Sequence, residues 1–180
     1  MKWLIASDIH GSAKYCELLL KAYDKEGADR LLLLGDILYH GPRNDLPELY
    51  APKTVIEMLN VRKNEIFCVR GNCDTEVDQM VLDFPLMADY CLIPLCGRMI
   101  FATHGHKFNQ SNLPPLKKGD ILLYGHTHIP VCEAAGDIIY MNPGSASIPK
   151  EGSAHQYMTL CENKFVWKDF EGNILHEYEA

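Results

Sequence analysis

The sequence predicts an α/β protein: two sheets packed as a sandwich, with functional loops gathered at one edge. Two observations carry this expectation. Short apolar runs of strand length alternate with helical patterns in the first half, and strands with short turns dominate the second half. Five of the runs end in polar clusters rich in Asp, His, Asn and Gly, and strand-end loops on one sheet edge converge in space.

Lys2 to Ser7 is a buried strand running into Asp8-Ile9-His10-Gly11. Ser12 is the N-cap of a helix over 13–26, where Tyr15, Leu18, Leu19, Ala22 and Tyr23 recur at helical spacing and Gly27 supplies the stop. Asp29 to Leu34 is a second strand, ending in Gly35-Asp36 and completing a βαβ unit. From Ile37 to Pro52 the prolines at 42, 47 and 52 break any period, so this is a loop. Loops beyond about 12–15 residues are usually lids or binding loops, and Tyr39, Leu49 and Tyr50 could form a pocket wall or a subunit contact.

Pro52 opens a helix to about Asn60, and Glu65 to Val69 is a third strand leading into Arg70-Gly71-Asn72-Cys73-Asp74. Tyr90 to Leu95 and Arg98 to Thr103 form a hairpin about Cys96-Gly97, the second strand delivering His104-Gly105-His106. After a long connection over 107–120, Ile121 to Tyr124 delivers Gly125-His126-Thr127-His128. The remaining strands are expected at 131–134, 138–141, 157–161, 164–168 and 173–178, with a turn at Asn142-Pro143-Gly144-Ser145.

A chain of 180 residues is expected to form one domain over 1–180. Its 47% hydrophobic and 23% charged residues are those of a globular protein, and no run approaches the roughly 20 residues of a membrane span. The apolar stretch after Lys2 is too short for a secretory core, and seven cysteines without CxxC spacing read as free thiols, so a cytoplasmic location is expected. A net charge of −7 argues against a grip on long nucleic acid.

Asp8, His10, Asp36, Asn72, His104, His126 and His128 are oxygen and imidazole donors with no thiolate among them. Such a set suits Mn²⁺, Fe, Zn²⁺ or Mg²⁺ held for hydrolysis better than a closed structural zinc, and Mn²⁺ is the expected occupant, with Zn²⁺ or Fe as alternatives. Two such ions activate a water and clamp a phosphoryl group.

In this combination, Asp8-x-His10, Gly35-Asp36, Gly71-Asn72-x-Asp74, Thr103-His104-Gly105-His106 and Gly125-His126-x-His128 resemble the calcineurin-like metallophosphoesterase superfamily. The text around His40 to Asn44, Arg70 to Met80 and Asn142 to Ser145 is similar to its small bacterial YfcE-type phosphodiesterases. The resemblance implies an α/β/β/α sandwich and two divalent ions: one on Asp8, His10 and His128, the other on Asn72, His104 and His126, with Asp36 bridging. It also implies in-line attack on a small phosphodiester by a hydroxide between the ions. Phosphomonoester hydrolysis on the same site is the nearest rival. The scaffold subunit of eukaryotic retromer, where the site is degraded, is the rival of another class. Self-association is compatible with the resemblance.

Asn72, Cys73 and His104 are the candidate catalytic side chains. Cys73 departs from the family pattern, which commonly places a histidine there to protonate the leaving group or stabilise the phosphoryl transition state. A thiol is a weak hydrogen-bond donor, so esters with acidic leaving groups should be preferred. Arg43 is a candidate phosphate contact, Asp74 is expected to orient a ligand, and His106 would point away from His104 if the chain there were extended.

Overall fold

The computed structural model describes residues 1–180. In its first half, β1 (Lys2–Ala6), α1 (Ala13–Glu26), β2 (Arg30–Leu33), α2 (Pro52–Val61), β3 (Ile66–Cys68) and the single turn α3 (Glu76–Gln79) follow in order. Then come β4 (Tyr90–Leu95), β5 (Arg98–Thr103), β6 (Ile121–Leu123), β7 (Val131–Ala135) and β8 (Ile138–Asn142). The chain closes with β9 (Gln156–Cys161), β10 (Lys164–Asp169) and β11 (Ile174–Glu179). None of its helices is long and apolar enough to cross a membrane.

One sheet has the order β11-β10-β9-β1-β2-β3, and the other β4-β5-β6-β8-β7. Strand alternation distributes the side chains among three layers. Leu4 and Ala6 of β1, with Leu31 and Leu33 of β2, pack under α1 and α2. Ile5 and Leu32 point the other way, against Ile100, Ala102, Ile121, Leu123, Ile139 and Met141 of the second sheet. Burying each such side chain is worth roughly 1.5–3 kcal/mol, so this inter-sheet layer is what holds the two halves of the site in register.

Helix α1 starts where Ser12 accepts the Tyr15 N–H at 3.3 Å and stops at Gly27, whose φ of 58° places it in the left-handed region. Helix α2 starts with Pro52 at its first turn and buries Val55 and Leu59. The short α3 was not expected from periodicity; Thr75 and Asp78 cap it reciprocally. Pro94 is tolerated in β4 because β4 is an edge strand paired only with β5.

The two-sheet sandwich is the predicted class, and one layer differs in detail. The outer face of the second sheet, formed by Phe101, Leu122, Tyr124, Ile138 and Tyr140, is covered by Phe108 and Leu116 of the 107–120 connection and by Val131, not by a helix. Prolines 114 and 115 in that connection are incompatible with a helix interior.

Strand direction positions the site. β1, β2 and β3 are mutually parallel, and so are β5, β6 and β8. Each sheet therefore presents the carboxyl ends of three strands, and the polar clusters follow those ends.

Candidate metal centre

The β1 and β2 loops continue their ladder beyond the strands: the N–H groups of Asp8, His10 and Gly11 donate to the carbonyls of Gly35, Asp36 and Ile37 at 3.1, 2.9 and 2.8 Å. Within this ladder the chain turns sharply. Asp8, His10, Asp36, His126 and His128 all have positive φ, between 48° and 65°. Non-glycine residues in that region are strained, and the strain is kept where the surrounding structure over-determines it, as at functional sites. Glycines make room for the carboxylates. A Cβ on Gly71 would strike the Asp36 carboxylate, and one on Gly125 would strike the Ser7 hydroxyl and lie 2.9 Å from an Asp8 oxygen.

Asp8, His10 and His128 bring one ligand-type atom each within 4.8 Å of one another, and Asp36, His104 and His126 do the same. Asp36 lies between the groups, its Oδ2 3.7 Å from His10 Nε2 and 3.4 Å from His104 Nε2. Asn72 adds its Oδ1 at 3.0 Å from His104 Nε2.

The rings are held from behind. His10, His104 and His128 donate Nδ1–H to the carbonyls of Tyr39, Leu34 and Ile148 at 2.7, 2.6 and 2.7 Å. That bond fixes the tautomer and leaves each Nε2 lone pair facing the site. Two such lone pairs, on His10 and His128, face each other at 3.2 Å with no proton between them when the rings are neutral. Asp8 Oδ1, 3.2 Å from His128 and 3.5 Å from His10, is buried without a hydrogen-bond donor. Crowded acceptors with no donor are what a divalent cation satisfies, so these residues fit a metal.

The electrostatics agree. Burial would raise Asp8, but His10 and His128 hold its carboxyl well below the usual carboxylate range. His104, which burial would lower, is raised to about 9 by Asp36 and Asp8. Without a cation, Asp36 and Asp8 hold a proton on the His104 ring instead.

A model of the calcineurin-like phosphoesterase superfamily domain matches residues 1–164. The chain belongs to this superfamily. Among its relatives, phosphodiesterase YfcE of Escherichia coli K12 is 52% identical over 160 residues, covering 89% of this chain and 87% of that one. The solved structure of the E. coli YfcE phosphoesterase matches with a TM-score of 0.95 and 46% identity, 99% of each chain being covered. Zinc-complexed Vps29 of Entamoeba histolytica has a TM-score of 0.60 at 17% identity, with 99% of each chain covered, a likeness of fold alone.

In this phosphoesterase, Asp74 is buried, and its carboxylate accepts the N–H groups of Asp36, Ile37 and Gly71 at 2.8, 2.9 and 2.7 Å. It thereby ties the β2 and β3 loops together. Arg43 reaches the site: with Asn44, Asn72, Cys73, Thr127 and Lys150 it lines a polar cavity of about 390 Å³ over Asp36, His126 and His128. Neither Arg43 nor Lys150 has a carboxylate partner within ion-pair distance.

Cys73 is nearly buried, receives the Asn72 amide on its sulfur at 3.2 Å, and donates its own backbone N–H to Asp36 Oδ1 at 2.8 Å. Burial, then the Asp36 charge, pushes its thiol up, so it stays protonated.

His106 does not point away. Gly105, at φ 116°, turns the chain, and the His106 ring lies 5.4 Å from that of His104. Burial and the His104 charge lower it to about 4.

Sequence reasoning missed Lys150, and it missed Ser145 and Ser147, whose hydroxyls donate to the Asp8 carbonyl at 2.9 and 3.0 Å. The Asn142-Pro143-Gly144-Ser145 turn was the available signal: it ends β8, the sixth of the strands aimed at the site.

Proposed function

We propose that this phosphoesterase is a dinuclear metal-dependent phosphodiesterase acting on small phosphodiesters. The observation that carries the reading is the placement of the Asp36 carboxylate between two donor groups, Asp8, His10 and His128 on one side and His104, His126 and Asn72 on the other. The 52% identity to a phosphodiesterase over most of both chains supports the diester preference.

Divalent cations held there, Mn²⁺ foremost and Zn²⁺ or Fe compatible, supply an activated water and neutralise charge on the phosphoryl oxygens. The chain's own residues do the rest. Asp74 holds the two loops that present Asp36 and Asn72, while Arg43 and Lys150 receive non-bridging phosphate oxygens across the cavity mouth. Cys73 retains its proton but donates it poorly, so the leaving group must be a good one. Seven free thiols fit a reducing cytoplasm.

The test is hydrolysis of bis-p-nitrophenyl phosphate against p-nitrophenyl phosphate by metal-stripped protein, with Mn²⁺, Mg²⁺, Zn²⁺ or nothing restored. Metal-dependent cleavage favouring the diester is expected. A preference for the monoester would assign the site to a phosphomonoesterase, and silence with every metal would rule out hydrolysis of simple aryl esters.

A further inference from the structure

Cys73 belongs to two cavities. It closes part of the polar cavity over the metal-type residues, and it also lines a second cavity of about 370 Å³ on its other side. The second is of opposite character: Leu38, Tyr39, Tyr50 and Ile56 form one wall, and Val77 of α3 with Val81, just past its end, forms the other. Gly41 stands against Cys73, and a Cβ on that glycine would come within 3.2 Å of the Cys73 sulfur.

Three features separate this groove from an ordinary surface hollow. Its first wall is anchored to the metal loop: the Tyr39 carbonyl accepts the His10 Nδ1–H at 2.7 Å, and the Tyr50 ring lies where a Gly11 Cβ would meet it at 2.6 Å. Three of its apolar residues stand exposed to water, Val77 at 67% exposure, Tyr39 at 43% and Val81 at 41%. Its polar residues are already committed, since Thr75 and Asp78 satisfy each other at 2.7 and 3.0 Å in capping α3. The His40 ring sits edge-on to both tyrosines, with centroids 4.8 and 5.3 Å away, which continues an aromatic surface along the wall.

Resting on the phosphodiesterase reading above, we infer that this groove binds the leaving ester substituent of the substrate, and that the substituent is a flat aryl or heteroaryl ring. A phosphodiester has two substituents on one phosphorus. With the phosphate in the polar cavity, one of them must leave over the Cys73 side or the open mouth. The groove is the apolar surface that shares Cys73 with the cavity, and it offers tyrosine and valine side chains to a ring.

The experiment is calorimetric binding to the Mn²⁺-loaded protein of two phosphonate monoesters with the same charge, 1-naphthyl methylphosphonate and methyl methylphosphonate, beside turnover of bis-p-nitrophenyl phosphate. The naphthyl ester is expected to bind about tenfold more tightly, the gain from burying roughly 50 Å² of apolar surface. Val77→Asp on one wall and Tyr39→Ala on the other should each cut that preference to below about twofold. Both positions are exposed, and binding of the methyl ester in each variant reports that the phosphate cavity is intact. Equal binding of the two esters by the wild type, or a preference retained by both variants, overturns the inference. A preference that disappears in the variants while no diester is hydrolysed would remove the hydrolytic reading and leave the subsite standing.

Discussion

The carboxylate of Asp74 takes the backbone N–H of Asp36 at 2.8 Å, so one acid fixes the other through the main chain and not through charge. The same carboxylate takes Ile37 and Gly71, giving one buried side chain three donors from two loops. Asp74→Asn keeps the shape but turns an amide N–H₂ toward backbone donors. Leaving a buried donor unsatisfied costs about 1–3 kcal/mol, and losing such an orienting partner typically weakens metal binding 10–100-fold. The variant should melt lower and require correspondingly more Mn²⁺ in a titration; unchanged affinity would deny Asp74 its positioning role.

Removal of one imidazole should separate the two donor groups. His128→Ala takes a ligand-type atom from the group formed with Asp8 and His10 and leaves Asp36, His104 and His126 complete. Elemental analysis after dialysis should find about one equivalent of metal in place of about two. Loss of all metal, or retention of two equivalents, would contradict the division proposed.

Restoring an imidazole beside the phosphate should relax the demand on the leaving group. Cys73→His is expected to raise turnover of alkyl-type diesters relative to nitrophenyl diesters by at least about tenfold, the low end of general-acid assistance being about 10². The comparison must keep the non-leaving substituent constant. An unchanged ratio would leave Cys73 as a space-filling residue.

Far from the site, Glu26 joins α1 to three adjacent strands of the first sheet, β1, β9 and β10, accepting Lys2 at 2.7 Å, the Tyr157 hydroxyl at 3.1 Å and Lys168 at 2.7 Å. Burial would raise its carboxyl, but the two lysines lower it to about 2. A folded-state value below the unfolded one stabilises fully above about pH 4.5 and is lost as pH falls toward 2. After allowance for solvent screening the effect is about 1–2 kcal/mol at neutral pH. Glu26→Gln should therefore melt below wild type at pH 7, with the gap closing between pH 5 and 2. A gap independent of pH would assign the loss to packing.

The site was the most legible part of the sequence because each of its motifs follows an apolar run and contains a glycine. Gly35-Asp36, Gly71-Asn72 and Gly125-His126 are each read as strand, then turn, then donor. Helix α1 was legible for the same local reasons, its cap and its stop. What local pattern does not carry is the company that strands keep. Nothing in Lys2–Ala6 shows that its antiparallel neighbour is Gln156–Cys161, since that pairing is decided by the closing of the inter-sheet layer. The one-turn α3 is too short for periodicity, and Lys150 stands 22 positions past His128 with only its main-chain N–H, 3.2 Å from the His128 carbonyl, linking it to the motif.

The central position of β1 has a consequence for synthesis. Its partner β2 emerges from the ribosome soon after it, but its other partner, β9, is made only after residue 155. Through most of translation the strand that leads to Asp8 has one bare flank, and a bare flank invites pairing with the wrong chain. His128, Ser145 and Ser147, which enclose Asp8, also come late. The pocket around Asp8 is thus closed only once the last third of these residues has been made, and the residue that opens the site waits longest for its neighbours.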